Sequence, residues 1–285
     1  MFEVIEKKVL SPQVSLLKFK APQIAKTRKA GQFIIFQIDE TGERIPLTIA
    51  DSDPDEGTVT LICQGVGKST LKFNSLEKGE SIMSLVGPLG KPSHIEKFGT
   101  TVCVGGGLGI AVVYPLAKAL KEAGNRVLSI MGFRSKELMF MEDELKKISD
   151  ELYITTDDGS YVRQGLVTDV LKELIEKGEK IDSVFAVGPV PMMRAVCELT
   201  RNHKINTVVS LNPVMVDGTG MCGACRVTIG GATKFVCVDG PEFDGHQIDF
   251  AELAKRQNFY RTEEKISLDK YNEHKKCWES EAKVK

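Results

Sequence analysis

The sequence predicts a multi-domain β plus α/β protein: a small antiparallel β-barrel, a parallel-sheet domain and a short metal-ligating lobe. Three observations predict it. Residues 1–98 carry short alternating or β-branched runs broken by Gly, Pro, Asp and Asn. From Gly99 onward, apolar runs alternate with helical stretches, the pattern of βαβ units. Near the C-terminus three cysteines cluster in VDGTGMCGACRVTIGGATKFVCVDG, a Gly-rich run that makes poor core but good ligand geometry.

The first region, 1–98, holds the strand-like runs FEVIEKKVL, VSLLKFK, QFIIFQI, TVTLICQ and ESIMSLVG. Their number and spacing indicate a barrel or sandwich, interrupted by a helix at SLEKG or slightly earlier. The second, 99–212, opens with strand TTVCVGG and helix IAVVYPLAKALKEAG, which Gly124 closes. Strand RVLSIMGF, helix KELMFMEDELKKIS, strand ELYITTDDG and helix LVTDVLKELIEKG follow. Strand DSVFAVGP, helix PMMRAVCELTRNH and strand TVVSLNP complete the sheet. Residues 213–250 form the Gly/Cys lobe, and 251–285 a polar tail of helical character.

The chain has 285 residues, 42% of them hydrophobic, and a formal net charge of −1. That length suits two domains and a small lobe. Near-zero charge gives no drive towards nucleic acid or an anionic membrane. No apolar run reaches the roughly 18–20 residues that span a bilayer. The alternating, charged start is unlike a signal peptide, so a cytoplasmic protein is expected. Seven cysteines, an odd number in such a chain, do not indicate a disulfide framework. Cys63, Cys103 and Cys197 sit in apolar runs and read as buried small hydrophobes, while Cys277 reads as an idle thiol in the tail.

The clustered residues carry the strongest signal. Asp217, Cys222, Cys225 and Cys237 stand five, three and twelve residues apart. A plant-type [2Fe–2S] cluster uses Cys-x4-Cys-x2-Cys and a distant fourth Cys, so Asp217 occupies the first site. Gly218, Gly220 and Gly223 let the backbone turn and aim N–H groups at sulfur. The plainer readings are a zinc knuckle, or a fourth ligand elsewhere, such as Asp239.

Five other motifs are weaker singly. In RIPLTIAD, Arg44 suits a phosphate and Thr48 a polar ring edge; the plain reading is an exposed strand Arg and a β-favouring Thr. QGVGKST offers a Gly-rich helix start for pyrophosphate but lacks P-loop spacing, and an ordinary turn is the alternative. VGPLGKP reads as a stiff interdomain connector. VCVGGGLGI is a strand–turn–helix fit for a dinucleotide, yet Ile110 replaces the third Rossmann glycine. No acid ends the next strand either, where Gly132, Phe133 and Arg134 stand. VFAVGPVPMMRAV is a second such turn, able to bracket the same dinucleotide or simply to start a helix.

In this order the motifs R-x-P-[LIS]-[ST], G-x-G-x-[ST], G-P-L-G, G-G-G-x-G, A-x-G-P-x-x-M and C-G-A-C resemble the ferredoxin-NADP reductase superfamily. The resemblance covers residues 1–250. Within the superfamily it is nearest to the electron-transfer subunits of dihydroorotate dehydrogenase B and of NADH-dependent reduced ferredoxin:NADP+ oxidoreductases, which bifurcate electrons. It implies that Arg44, Pro46, Leu47 and Thr48 line FAD, and that Gly65, Gly67, Ser69 and Thr70 hold its pyrophosphate. It implies NAD(H) on Gly105, Gly106, Gly107, Gly109, Gly188, Pro189 and Met192, and [2Fe–2S] on Asp217, Cys222, Cys225 and Cys237.

Three departures matter. Ile45 separates Arg44 from the proline, Val187 stands where many relatives carry a thiol, and Asp217 replaces a cysteine. The last points to the bifurcating relatives. The implied function is hydride exchange between NAD(H) and FAD, then one-electron transfer through the cluster. The implied acceptor is a larger flavin/iron–sulfur subunit that couples ferredoxin and NADP(H). No protein acid or base is needed, so no catalytic residue is expected. A free-standing NAD(P)H reductase and a zinc-stapled nucleotide-binding module are the rivals. Arg134 and Lys136 could take a 2′-phosphate, though the resemblance favours NAD(H). Phe259, Tyr260, Tyr271 and Trp278 in the tail either dock on the partner or pack on their own domain.

Overall fold

A computed structural model describes residues 1–282, with side chains described through Glu273. The N-terminal region builds β1 (Phe2–Ser11), β2 (Val14–Lys20), α1 (Pro22–Thr27), β3 (Phe33–Gln37) and β4 (Ile45–Asp53). It continues with β5 (Thr58–Gln64), α2 (Lys68–Ser75), β6 (Ser81–Ile82) and β7 (Ser84–Leu89). The seven strands lie in the order β6-β1-β2-β5-β4-β3-β7, with antiparallel pairs throughout. Its two edge strands, β6 and β7, are separated only by Met83, so the sheet curls into a nearly closed barrel. Phe19, Phe36 and Phe73 fill it.

The second sheet contains β8 (Thr100–Gly106), α3 (Ile110–Glu122), β9 (Arg126–Phe133), α4 (Glu142–Ile148) and β10 (Glu151–Thr156). Then come α5 (Val167–Glu176), β11 (Ser183–Val187), α6 (Val190–Asn202) and β12 (Asn206–Ser210). Strands β10-β9-β8-β11-β12 are parallel in that order. The chain winds outward from β8 on one side and from β11 on the other. The crevice beyond the C-terminal ends of β8 and β11 is therefore the topological switch point, where such sheets bind ligands.

The cysteine-bearing segment forms a hairpin, β13 (Arg226–Ile229) and β14 (Ala232–Phe235), followed by α7 (Val236–Asp239). Next, β15 (Glu242–Asp244) adds antiparallel to β12, so the parallel sheet gains a sixth strand from the expected lobe. The lobe also shares one apolar core with the sheet: Cys225, Val227, Val236 and Cys237 pack with Val102, Val184 and Met193. Barrel residues Phe33 and Ile35 join that core. The tail is α8 (Phe250–Gln257) and α9 (Arg261–Ala282). Among the described residues no helix is long and apolar enough to cross a membrane.

Several sequence expectations need correction. The helix expected over 136–149 starts at Glu142, because Met141 is left-handed at φ 62° and Phe140 turns inward onto Phe133. Burying that ring breaks the helix. VGPLGKP is not a connector along its length, since Ser84–Leu89 is barrel strand β7. The barrel helix, expected at SLEKG or slightly earlier, lies over Lys68–Ser75. Helix α1 and the hairpin were not expected. Gly230 and Gly231, both at positive φ, make the two-residue turn that a hairpin favours. Phe259 and Tyr260 are exposed and stack edge-on, 5.0 Å between centroids. The side chains of Cys277 and Trp278 lie outside the described residues.

Candidate functional site

A cavity of about 820 Å3 opens between the barrel and the switch point of the parallel sheet. That is the size of a cofactor pocket. Pro46, Leu47 and Thr48 of β4 form part of its barrel wall, with Phe33 and Gln64. Gly106, Gly107, Gly109, Gly188, Pro189 and Met192 form the opposite wall. Nine of the sequence-expected site residues thus meet around one space.

The glycines on that wall have a steric reason. A Cβ on Gly109 would lie 2.1 Å from the Val187 carbonyl oxygen, and one on Gly106 2.4 Å from the Met192 sulfur. Only glycine lets the β8 and β11 turns lie against each other. Gly105 serves the same packing from behind, where a Cβ would meet Ile110 at 2.3 Å. Gly107 differs: it has φ +53° and open space around it. Its bare backbone faces room for a ligand, which fits a dinucleotide.

Gly65, Gly67, Ser69 and Thr70 lie apart from this wall. Thr70 Oγ1 accepts from the Gly67 and Val66 N–H groups at 2.9 and 3.0 Å, so it caps α2. The Ser69 hydroxyl donates to the Glu43 carboxylate. An acidic group therefore sits at the start of α2, where the helix dipole favours negative charge. Arg44, expected as a phosphate clamp, is also outside the wall. Its Nε donates to the Val216 carbonyl at 2.7 Å, across 172 residues of chain. The intervening Ile45 begins β4, and the guanidinium turns to the cysteine-bearing loop.

That loop divides into two halves. Cys225 and Cys237 are each 2% exposed, with sulfurs 3.2 Å apart. Burial, and then the Cys225 thiol, push the Cys237 thiol up to about 12. A thiol so raised binds metal when a cation displaces its proton, as iron does. Asp217 and Cys222 form the outer half. The Asp217 carboxylate accepts from Thr219 N–H at 2.8 Å and Cys222 N–H at 2.7 Å. These donors, Thr219 first, hold its carboxyl below the usual range. Cys222 is exposed, and its sulfur accepts from Ala224 N–H at 3.5 Å.

Among the described residues no three His, Cys, Asp or Glu side chains converge on a single ion. A two-iron cluster asks for something else, two protein ligands per iron. The loop presents such pairs, Cys225 with Cys237 and Asp217 beside Cys222. The residues fit the cluster. The carboxylate of Asp239, the alternative fourth ligand, accepts from Phe235 N–H at 2.8 Å.

Sequence reasoning missed Met215. It lines the cavity and lies two residues from Asp217, a span of at most about 7 Å. Its position inside an apolar run before the loop was the only signal. Asp157 was also missed. It directly follows β10 and lines the cavity with Arg134, while Lys136 lies over the Tyr161 ring at 5.0 Å. The search for an acid stopped at the end of β9. Cys63, Cys103 and Cys197 are buried as expected, and burial raises each thiol to about 12.

Two stretches of the chain match known domain families. Residues 212–249 match the iron–sulfur cluster binding domain of dihydroorotate dehydrogenase B, and residues 103–198 the oxidoreductase NAD-binding domain. A dihydroorotate dehydrogenase B (NAD(+)) electron transfer subunit homolog of Thermotoga maritima is 47% identical over 94% of this chain and 95% of its own. The Fusobacterium nucleatum dihydroorotate dehydrogenase B electron transfer subunit is 35% identical over 80% of this chain and 89% of its own. Among solved structures, a chain of the NADH-dependent reduced ferredoxin-NADP oxidoreductase, described for flavin-based electron bifurcation, superposes with a TM-score of 0.90. It is 46% identical and covers 95% of this chain and 98% of that one.

The chain belongs to this family of NAD-binding, iron–sulfur electron-transfer subunits of the ferredoxin-NADP reductase superfamily. The expected fold class and oxidoreductase class are borne out, as is the FAD, [2Fe–2S] and NAD(H) set at the level of the family. Its relatives are subunits of larger enzymes.

Proposed function

We propose that this chain is the FAD- and [2Fe–2S]-bearing small subunit, exchanging hydride with NAD(H), of an electron-bifurcating ferredoxin:NADP+ oxidoreductase. Its partner is a larger flavin/iron–sulfur subunit that couples ferredoxin and NADP(H). The observation that carries this reading is the link at Met215: one residue lines the cofactor cavity, and two residues later stands the first cluster ligand. When bound, the flavin converts two-electron hydride chemistry at the nicotinamide into single electrons for the cluster.

The chain's own residues bind and orient. Pro46, Leu47 and Thr48 present one wall, with the Thr48 hydroxyl as its polar group. Gly106, Gly107 and Gly109, with Gly188, Pro189 and Met192, present a bare-backbone wall opposite. Gly65, Gly67 and Ser69 are assigned to the flavin pyrophosphate at the start of α2, with Thr70 capping that helix. Leu47, Met192 and Met215 exclude water between the walls. Val187 lies at the crevice and offers no thiol. Asp217, Cys222, Cys225 and Cys237 would hold the cluster.

A second reading, the electron-transfer subunit of a dihydroorotate dehydrogenase, is favoured by the relatives' names. Asp217 argues against it. The native complex is purified anaerobically and assayed with NADH, reduced ferredoxin and NADP+, and separately with dihydroorotate. Coupled NADP+ reduction is expected. Dihydroorotate oxidation without ferredoxin coupling selects the second reading, and colourless protein with stoichiometric zinc sinks both.

A further inference from the structure

We propose that Arg44 is a positioning residue for the iron–sulfur cluster: from the start of β4 it holds the Val216 carbonyl and fixes Asp217 against the flavin wall. The proposal rests on the [2Fe–2S] reading of the loop given above.

Two contacts bracket Asp217. On one side Arg44 Nε donates to Val216 O at 2.7 Å. On the other, Gly218 is seated so closely on the barrel that a Cβ would lie 2.7 Å from Leu89 and 2.8 Å from Ile35. Those partners are the residue just before β4 and residues of β7 and β3, three neighbouring strands of the sheet. The same β4 supplies Pro46, Leu47 and Thr48 to the cofactor cavity. One corner of the barrel therefore carries the flavin wall on one side and the first cluster ligand on the other. Val216 itself is 46% exposed, so packing alone does not hold it.

A guanidinium carries a delocalised positive charge. Reduction adds a negative charge to a cluster whose outer ligand is already a carboxylate. A fixed cation at the adjoining residue stabilises that added charge and raises the reduction potential. Arg44 thus sets both the place of Asp217 and the ease of electron acceptance.

The test compares R44Q, R44M and R44K in the intact complex. Flavin and iron per chain, the EPR g-values of the dithionite-reduced cluster and its midpoint potential are measured. R44Q and R44M are expected to keep flavin and iron at the parent level, shift the g-values and lower the potential. R44K keeps the charge and should recover the potential more fully than the g-values. Parent-like g-values and potential in R44Q overturn the proposal. So does loss of flavin with an unchanged cluster signature, which would make Arg44 a phosphate clamp. Loss of both cofactors from R44Q and R44M assigns it a general folding role and overturns it too. A parent without any iron–sulfur EPR signal overturns the reading beneath, whereas a parent with the signal and a silent R44Q overturns Arg44 alone.

Discussion

The two halves of the ligand loop are held by different parts of the molecule. Cys225 and Cys237 sit inside the core that the hairpin shares with the parallel sheet. Asp217 and Cys222 lie at the surface, and the first is tied to the barrel through Arg44–Val216 and Gly218. A buried ligand pair is placed by packing, which resists displacement because interiors are dense. A surface pair is placed by a few hydrogen bonds and one close approach. With the proposed ligands, the first arrangement would secure the cluster. The second would let the barrel govern its outer half. The exposed apolar residues Val216, Met221 and Val238 rim this outer half.

The comparison makes graded predictions. The largest effect belongs to the buried half: C237S should bring iron and acid-labile sulfide per chain close to zero. Near-normal iron in that variant would move the buried ligand elsewhere. Next comes G218A, where φ is +79° and a Cβ collides with Leu89 and Ile35. It should cost roughly 1–3 kcal/mol, read from the urea midpoint. An unchanged midpoint would mean the outer half is not seated on the barrel.

D217C should leave iron content unchanged and alter the EPR spectrum, because thiolate replaces carboxylate on one iron. An identical spectrum removes Asp217 from the ligand set. The smallest effect concerns Glu242 of β15, which pairs with Ser210 of β12. Burial raises its carboxyl, offset in part by the Ser93 hydroxyl, which donates to it at 2.6 Å. An acid with a raised folded-state pKa is most favourable to folding when protonated. Its contribution is present below the unfolded pKa and lost as pH rises through the folded one. The parent should therefore lose stability relative to E242Q from about pH 4 upward. A difference between the two that does not change with pH would show that the carboxyl is not desolvated.

Local pattern carried much of the fold. The alternation in FEVIEKKVL and VSLLKFK appears as β1 and β2, and the apolar TTVCVGG as the central β8. Errors arose where tertiary contacts override local preference. Phe140 packs on Phe133 and delays to Glu142 a helix that composition alone would start at Lys136. VGPL pairs with β3 as a strand despite its glycine and proline. The site shows the same division. The glycines of the β8 turn were legible, since a strand–Gly–helix junction has few other uses. Met215 was not, because nothing in an apolar run says which residue will face a cavity.

What the sequence by itself determined is the set of parts: barrel, parallel sheet, Gly-rich turns and a Gly-rich run of one aspartate and three cysteines. Each is encoded by residues close together in the chain, whose spacing fixes periodicity and turn geometry. Only the tertiary structure decided how the parts meet. Arg44 finds Val216 across 172 residues, β15 joins a sheet begun more than a hundred residues earlier, and two turns close on one cavity. Such meetings depend on which surfaces are left to bury once the local elements exist, and that is a property of the whole chain.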